Sequence, residues 1–256
     1  MSAAGGPGAT WPGPTRDEIE EAAAVLHGIA HRTPVETSAG LARHCGVPVH
    51  LKLENLQRAG SFKIRGAYLR MSRLSAAERA AGVVAASAGN HAQGVALAAS
   101  LLGVPATIVM PVDAALPKLA ATRGYGAEVI QQGTSLAESL EVAHHLGERT
   151  GRVLIHPYDH RDVVTGQATV GREILQQVPD VRTIIVPTGG GGLLAGVAAA
   201  MRVLAPHVRV IGVQAETAAA YPASLDAGHP ILRTDLATMA DGIAVGLPGQ
   251  VPFDIV

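Results

Sequence analysis

A single cysteine, Cys45, stands among 256 residues, which excludes an intramolecular disulfide framework and the paired thiolates of a structural zinc site. A reducing compartment fits, and the cytoplasm is the expected location. Charge is scarce and balanced: Asp, Glu, Lys and Arg make up 16% of the chain and leave a net charge of -1. There is therefore no broad electrostatic footprint for nucleic acid or an anionic membrane surface, and binding should be local, in a pocket. Long apolar runs are missing as well. The greasiest stretch, residues 94–111, is interrupted by Ser100, Gly103, Pro105 and Thr107 and reads as a buried helix followed by a buried strand, not as a membrane span. The Gly- and Pro-rich residues 1–14 lack a basic start and an apolar centre, so they read as a flexible arm and not as a signal peptide.

Lysine is the least common of the charged residues. Among twenty basic residues only Lys52, Lys63 and Lys118 are lysines. Where arginine dominates in this way, a retained lysine fits a task that a guanidinium cannot perform, such as forming an imine from a primary amine. Three ordinary lysines in an arginine-biased chain remain the alternative.

What the chain does have is apolar material, 48% of its residues, enough for one two-lobed enzyme or one to two compact domains. Thr15 and Glu18 form a capping-box pattern ahead of an Ala-rich helix expected to run to about His31. Strand-like runs at 49–53, 83–86, 106–110, 128–131, 153–156, 183–186 and 208–213 alternate with helix-like segments that include 91–102, 135–149, 166–177 and 193–204. The runs are continuously apolar, which predicts α/β architecture: open parallel twisted sheets with helices on both faces. In such sheets ligands gather where strands end and helices begin. Three such turns stand out: residues 87–91, 188–192 and 214–216.

The run Thr188-Gly189-Gly190-Gly191-Gly192-Leu193 places four glycines between a strand and a helix. Glycine lets backbone N–H groups approach a phosphate, and the helix N-terminus adds a favourable dipole, so the turn reads as an anion cradle. A dinucleotide site is an open alternative, since Gly190, Gly192 and Ala195 match the loose fingerprint and Glu216 ends the next strand. Lys63 lies between Phe62 and Ile64, where desolvation would lower its pKa and favour the neutral amine. A lysine in the first turn of an exposed helix is the plainer reading of that position. Glu54 and Arg65 are read as a structural ion pair. His144, His145, His156 and His160 are read as surface or hydrogen-bonded histidines, because no metal-binding helix motif accompanies them.

Residues 61–67 (Ser-Phe-Lys-Ile-Arg-Gly-Ala), 87–94 (Ser-Ala-Gly-Asn-His-Ala-Gln-Gly), 156–159, 165–167, 189–193, 210–214 and 239–245 follow one another in register. Together they resemble the threonine dehydratase (threonine ammonia-lyase) group of the tryptophan-synthase-β-like, fold type II pyridoxal 5'-phosphate (PLP) enzymes, over nearly the whole chain after the arm. The resemblance implies that Lys63 forms the covalent imine with the cofactor, that Phe62 lies against its ring and that Asn90 hydrogen-bonds its phenolate oxygen. It implies that Gly189, Gly190, Gly191, Gly192 and Leu193 cradle its phosphate, and that Ser87, Ala88, Gly89, Asn90 and His91 bind the substrate carboxylate. It implies a larger, discontinuous domain from residues 15–51 and 153–256, and a smaller mobile one from 52–152.

The implied reaction is deamination of L-threonine, and of L-serine, to 2-oxobutanoate or pyruvate and ammonia, within amino-acid metabolism such as isoleucine biosynthesis. The implied partners are a small amino-acid substrate and further copies of the chain. Serine racemases share the resemblance but use a serine as second proton donor where this chain has Ala88, so elimination is favoured over racemisation. No metal is expected, since Ala220 and Pro222 stand where a second acidic ligand near Glu216 would be wanted. The family's chains extend past the position of Val256 and supply there a Ser or Cys for the cofactor's ring nitrogen. The chain therefore reads as C-terminally truncated, with a non-catalytic fragment, a serine racemase or a hydroxyaspartate ammonia-lyase as alternatives to an active threonine enzyme.

Overall fold

A computed structural model of the chain describes residues 11–256. Helix α1 (Arg16–Val25) starts from a capping box in which the Thr15 side chain accepts from the Glu18 amide and Glu18 accepts from the Thr15 amide. It stops at Val25, short of His31, because Gly28 turns to a φ of 75° and the amides of Ile29 and Ala30 both fold back on the Leu26 carbonyl. Strand β1 (Val35–Thr37), helix α2 (Ala39–Cys45) and strand β2 (His50–Lys52) follow, and β1 pairs with β2 antiparallel. A parallel arrangement, expected here, needs both faces covered. Helix α2 buries no residue and the strands stay largely open, a situation that an antiparallel pair tolerates.

The chain continues through α3 (Lys63–Ser72), α4 (Ala76–Ala81), β3 (Val83–Ala86), α5 (Asn90–Leu102), β4 (Ala106–Met110), α6 (Leu116–Gly124), β5 (Glu128–Gln131), α7 (Leu136–Thr150) and β6 (Val153–Leu154). The four strands from β3 to β6 form one parallel sheet in the order β5-β4-β3-β6. Alternation along the strands divides its core. Val83, Ala85, Ile108 and Met110 pack with Ile64, Met71 and Val95 of α3 and α5, whereas Val84, Ala86 and Val109 meet Ala143 of α7 on the opposite face. Strand β6 extends this sheet just past residue 152.

Helix α8 (Arg161–Gln177), strand β7 (Thr183–Pro187), helix α9 (Gly192–Leu204), strand β8 (Arg209–Val213) and helices α10 (Tyr221–Ala227) and α11 (Gln250–Ile255) complete the order. Strands β7 and β8 form a separate parallel pair. Residues from α1, α8 and α9 (Ile19, Ile174, Leu194 and Val197) pack with Ile184 and Val186, on one face of the pair. The other face is open where coverage on both sides was expected, with Ile185 65% and Val213 46% exposed.

The first ten residues of the expected arm lie outside the described residues. The last four are docked: Trp11 packs on a cluster of Val164, Ala195, Ala199 and Ile255, and the Pro12 carbonyl accepts from Arg202 Nη2 at 2.6 Å. Among the described residues no helix is long and apolar enough to cross a membrane.

Candidate active site

A cavity of about 360 Å³ gathers Phe62 and Lys63 from the head of α3, Asn90 from the head of α5, and Gly189 to Leu193 from the turn ahead of α9. Lys63 is the first residue of α3. Its Nζ donates to the Pro157 carbonyl at 2.8 Å and lies 5.2 Å from the centre of the Phe62 ring. Burial brings its pKa down to about 8. Gly94 on α5 makes room for this residue, since a Cβ there would stand 3.0 Å from Lys63 Cβ.

The other two lysines are engaged by carboxylates, although Lys52 also lines the cavity. Lys52 Nζ donates to Glu173 at 2.6 Å, to Gln177 at 2.8 Å and to the Thr33 carbonyl at 2.9 Å, while Lys118 pairs with Asp241 at 3.1 Å. Among the described residues Lys63 is thus the lysine without a carboxylate partner, which leaves its amine available for chemistry.

The glycine turn supplies donors. Thr188 ends the β ladder by donating its amide to the Val213 carbonyl at 2.8 Å, and Ala195 resumes helical bonding to the Gly191 carbonyl at 2.8 Å. Among the described residues, the amides of Gly189 to Leu193 have no acceptor, although Gly190, Gly191 and Gly192 are buried. Buried N–H groups without an acceptor among the described residues, at the head of a 13-residue helix, make a site for an anion.

Side chains are excluded from this turn on every side. A Cβ on Gly190 would stand 2.5 Å from the Tyr158 ring, and one on Gly189 would stand 3.0 Å from Val245 Cγ2 and 3.2 Å from Ile243 Cα. Gly191 adopts a φ of 98°, open to glycine but rarely to other residues. The segment around Ile243 and Val245 therefore forms a wall against the turn, which gives a packing reason for the 239–245 motif. Glu216, the acid of the dinucleotide alternative, is exposed in a 3-10 turn and does not line the cavity.

A second helix head opens on the same space. Gly89 is the N-cap of α5 and its amide donates to Ser87 Oγ at 3.1 Å, while those of Ala88, Asn90, His91 and Ala92 find no acceptor among the described residues. Of the expected carboxylate-binding stretch, Asn90 lines the cavity; Ser87, Ala88 and Gly89 sit half-buried beside it. The His91 side chain turns away. Its ring is buried with Nε2 2.7 Å from the Ile155 carbonyl, and because a carbonyl only accepts, Nε2 carries the hydrogen. Burial, with Lys63 nearby, lowers its pKa to about 3.

At one wall of the cavity, where Lys52 and Glu54 line it, lies an ion network that the sequence showed only in part. Arg65 is 1% exposed and chelates two carboxylates: Glu54 through Nε and Nη2, both at 2.9 Å, and Glu173 through Nη1 at 2.6 Å and Nη2 at 2.9 Å. Lys52 completes it at Glu173. Burial works against the Glu173 carboxylate, yet Arg65 and Lys52 outweigh it and hold its pKa below the usual value. The network ties α3 to α8 and so fixes the start of the helix that carries Lys63. Tyr158 also escaped the sequence reading as a wall residue. It lines the cavity, and its hydroxyl donates to the Leu247 carbonyl at 3.1 Å.

A family model described as pyridoxal-phosphate dependent enzyme matches residues 27–256. The chain is 49% identical over 242 residues to the L-threonine ammonia-lyase of Thermotoga maritima, an alignment that covers 94% of this chain and 60% of that relative. It thus spans about three-fifths of that protein's length. Among solved structures it is similar to the processed form of threonine deaminase isoform 2 from Solanum lycopersicum, with a TM-score of 0.88 and 40% identity over 96% of this chain and 69% of that one. It is similar also to maize serine racemase, with a TM-score of 0.91 and 38% identity over 96% of this chain and 74% of the other.

Proposed function

Because the chain belongs to the pyridoxal-phosphate dependent enzyme family, we propose that it converts L-threonine to 2-oxobutanoate and ammonia, and L-serine to pyruvate and ammonia. The observation that carries this reading is the meeting of one desolvated amine, without a carboxylate partner among the described residues, with two helix heads whose amides lack acceptors among those residues. The same observation is the test of fit for the cofactor. Its aldehyde needs a primary amine and its phosphate needs buried donors, and both are present at one cavity.

When bound, the cofactor supplies an electron-withdrawing ring that acidifies the α-C–H of an attached amino acid. The chain's own residues do the rest. Lys63 would hold the cofactor through its primary amine, and the same amine, whose burial favours the neutral form, would serve as the base for the substrate's α-proton. The amides of Gly189 to Leu193 would hold the cofactor's phosphate, and Phe62 and Asn90, which line the same cavity, would contact its ring. Ser87, Ala88, Gly89 and Asn90 at the head of α5 receive the substrate carboxylate. His91 serves this role through its backbone only, since its side chain is turned to Ile155. The overall reaction balances because the water lost with the β-hydroxyl returns when the released product hydrolyses to the 2-oxo acid.

The likeness to maize serine racemase supports a second reading, in which the α-proton returns on the opposite face. That reaction needs a second proton donor, and at position 88 the alanine methyl has no transferable proton. Parallel assays of 2-oxo acid and D-serine from PLP-loaded protein separate the two. Oxo-acid formation in excess of D-serine is expected, and D-serine forming faster would overturn the elimination reading.

A further inference from the structure

Tyr221 opens α10 and is 5% exposed, yet among the described residues its hydroxyl has no hydrogen-bond partner. The hydroxyl lies against the glycine turn, close enough that a side chain on Gly191 would overlap it. The ring is fixed in place: the Tyr221 amide donates to Gln214 Oε1 at 2.9 Å, and the ring lies 6.4 Å from that of Phe253. Burial, with Tyr158 and Asp159 nearby, raises the phenol's pKa, so it is a neutral donor at physiological pH.

A buried hydroxyl without a partner is costly, and a native fold normally satisfies it by a bound water or ion. The Gly191 amide beside it is likewise a buried donor without an acceptor among the described residues. Two unlike donors at one residue, neither with an acceptor among the described residues, suit one shared anion. Resting on the reading of this turn as a phosphate cradle, we propose that Tyr221 is a further ligand of that phosphate, donating its O–H directly or through one bound water. Residues 216–222 carry no phosphate-binding pattern of their own, so the assignment comes from where the fold brings position 221.

The test compares wild-type protein with Tyr221→Phe in equilibrium binding of PLP and of pyridoxal, which lacks the phosphate. The 31P resonance of bound PLP is recorded alongside. The variant should bind PLP roughly tenfold more weakly, in keeping with loss of one hydrogen bond to a charged group, and pyridoxal as wild type does, with a shifted phosphorus resonance. Unchanged PLP affinity, or an equal loss for PLP and pyridoxal, would overturn the role of Tyr221 while leaving the cradle intact. Wild-type protein that binds both compounds alike would sink the cradle reading and the role of Tyr221 with it.

Discussion

A methyl group on Gly166 would stand 2.6 Å from the Cα of Gly66, so α3 and α8 cross in backbone contact just beyond Lys63. Gly66 also donates its amide to Gln167 Oε1 at 3.2 Å across the same crossing. Gly166→Ala should push the helices apart, at a cost of about 1–3 kcal/mol from overpacking. It should also weaken PLP binding, because Lys63 moves with α3. Urea denaturation and a cofactor titration on the same variant check both effects.

Arg65 holds two carboxylates that are themselves largely buried. Arg65→Leu leaves Glu54 and Glu173 without their chelating partner and should cost about 3–5 kcal/mol, since breaking a buried pair from one side strands the other charge. Arg65→Lys should recover only part of this, because an ammonium cannot chelate both carboxylates. Denaturant midpoints of the two variants test the order.

His91 and His156 are kept neutral by burial, with pKa values lowered to about 3 and about 4. Their unfolded values lie near 6.5, so as the pH falls below that point the unfolded chain binds protons that the folded one refuses. Stability should be flat on this account above about pH 6.5 and decline below it, approaching about 1.4 kcal/mol per pH unit for each histidine. His91→Gln should flatten the slope by about one proton. Denaturant midpoints across the acid range measure this directly.

For Lys63 the window lies elsewhere. Its folded pKa of about 8 is below the ordinary 10.5, so the cost of burying the charged amine is fully present below pH 8 and fades as the pH rises through 10.5. Without cofactor, Lys63→Met should be more stable than wild type at neutral pH, by about 1–3 kcal/mol, and the gain should shrink above pH 8. With cofactor, the same variant should lose at least about a thousandfold in oxo-acid formation. Thermal melts at several pH values, set beside the activity assay, would show stability and function moving in opposite directions.

Much of this was legible in the sequence where the signal is local. The continuous apolar runs marked β3 and β4 at their observed limits, because burial on both faces is written into consecutive residues; β5 also kept its expected limits, although it lies at the sheet edge with Glu128 and Gln131 exposed at its ends. Short elements were not: α2, α4 and α6 are too brief to show a periodic face, and α8 begins earlier than its apolar pattern because His160 caps it by accepting from the Asp162 amide. At the site, Lys63, Asn90 and the glycines stood out through motifs. The inward turn of His91 did not, as it depends on α5 starting at Asn90, which sets adjacent side chains about 100° apart around the helix. Partners distant in sequence were hidden for the same reason. Glu173 meets Arg65, Tyr158 backs Gly190 and Tyr221 reaches Gly191 only once the chain has folded.

The central claim is that one amine, at position 63, attaches the cofactor. Borohydride reduction of PLP-loaded protein, followed by peptide mapping, should leave a pyridoxyl group on the peptide containing Lys63 and on no other. A label on Lys52 or Lys118, or no label at all, would contradict it.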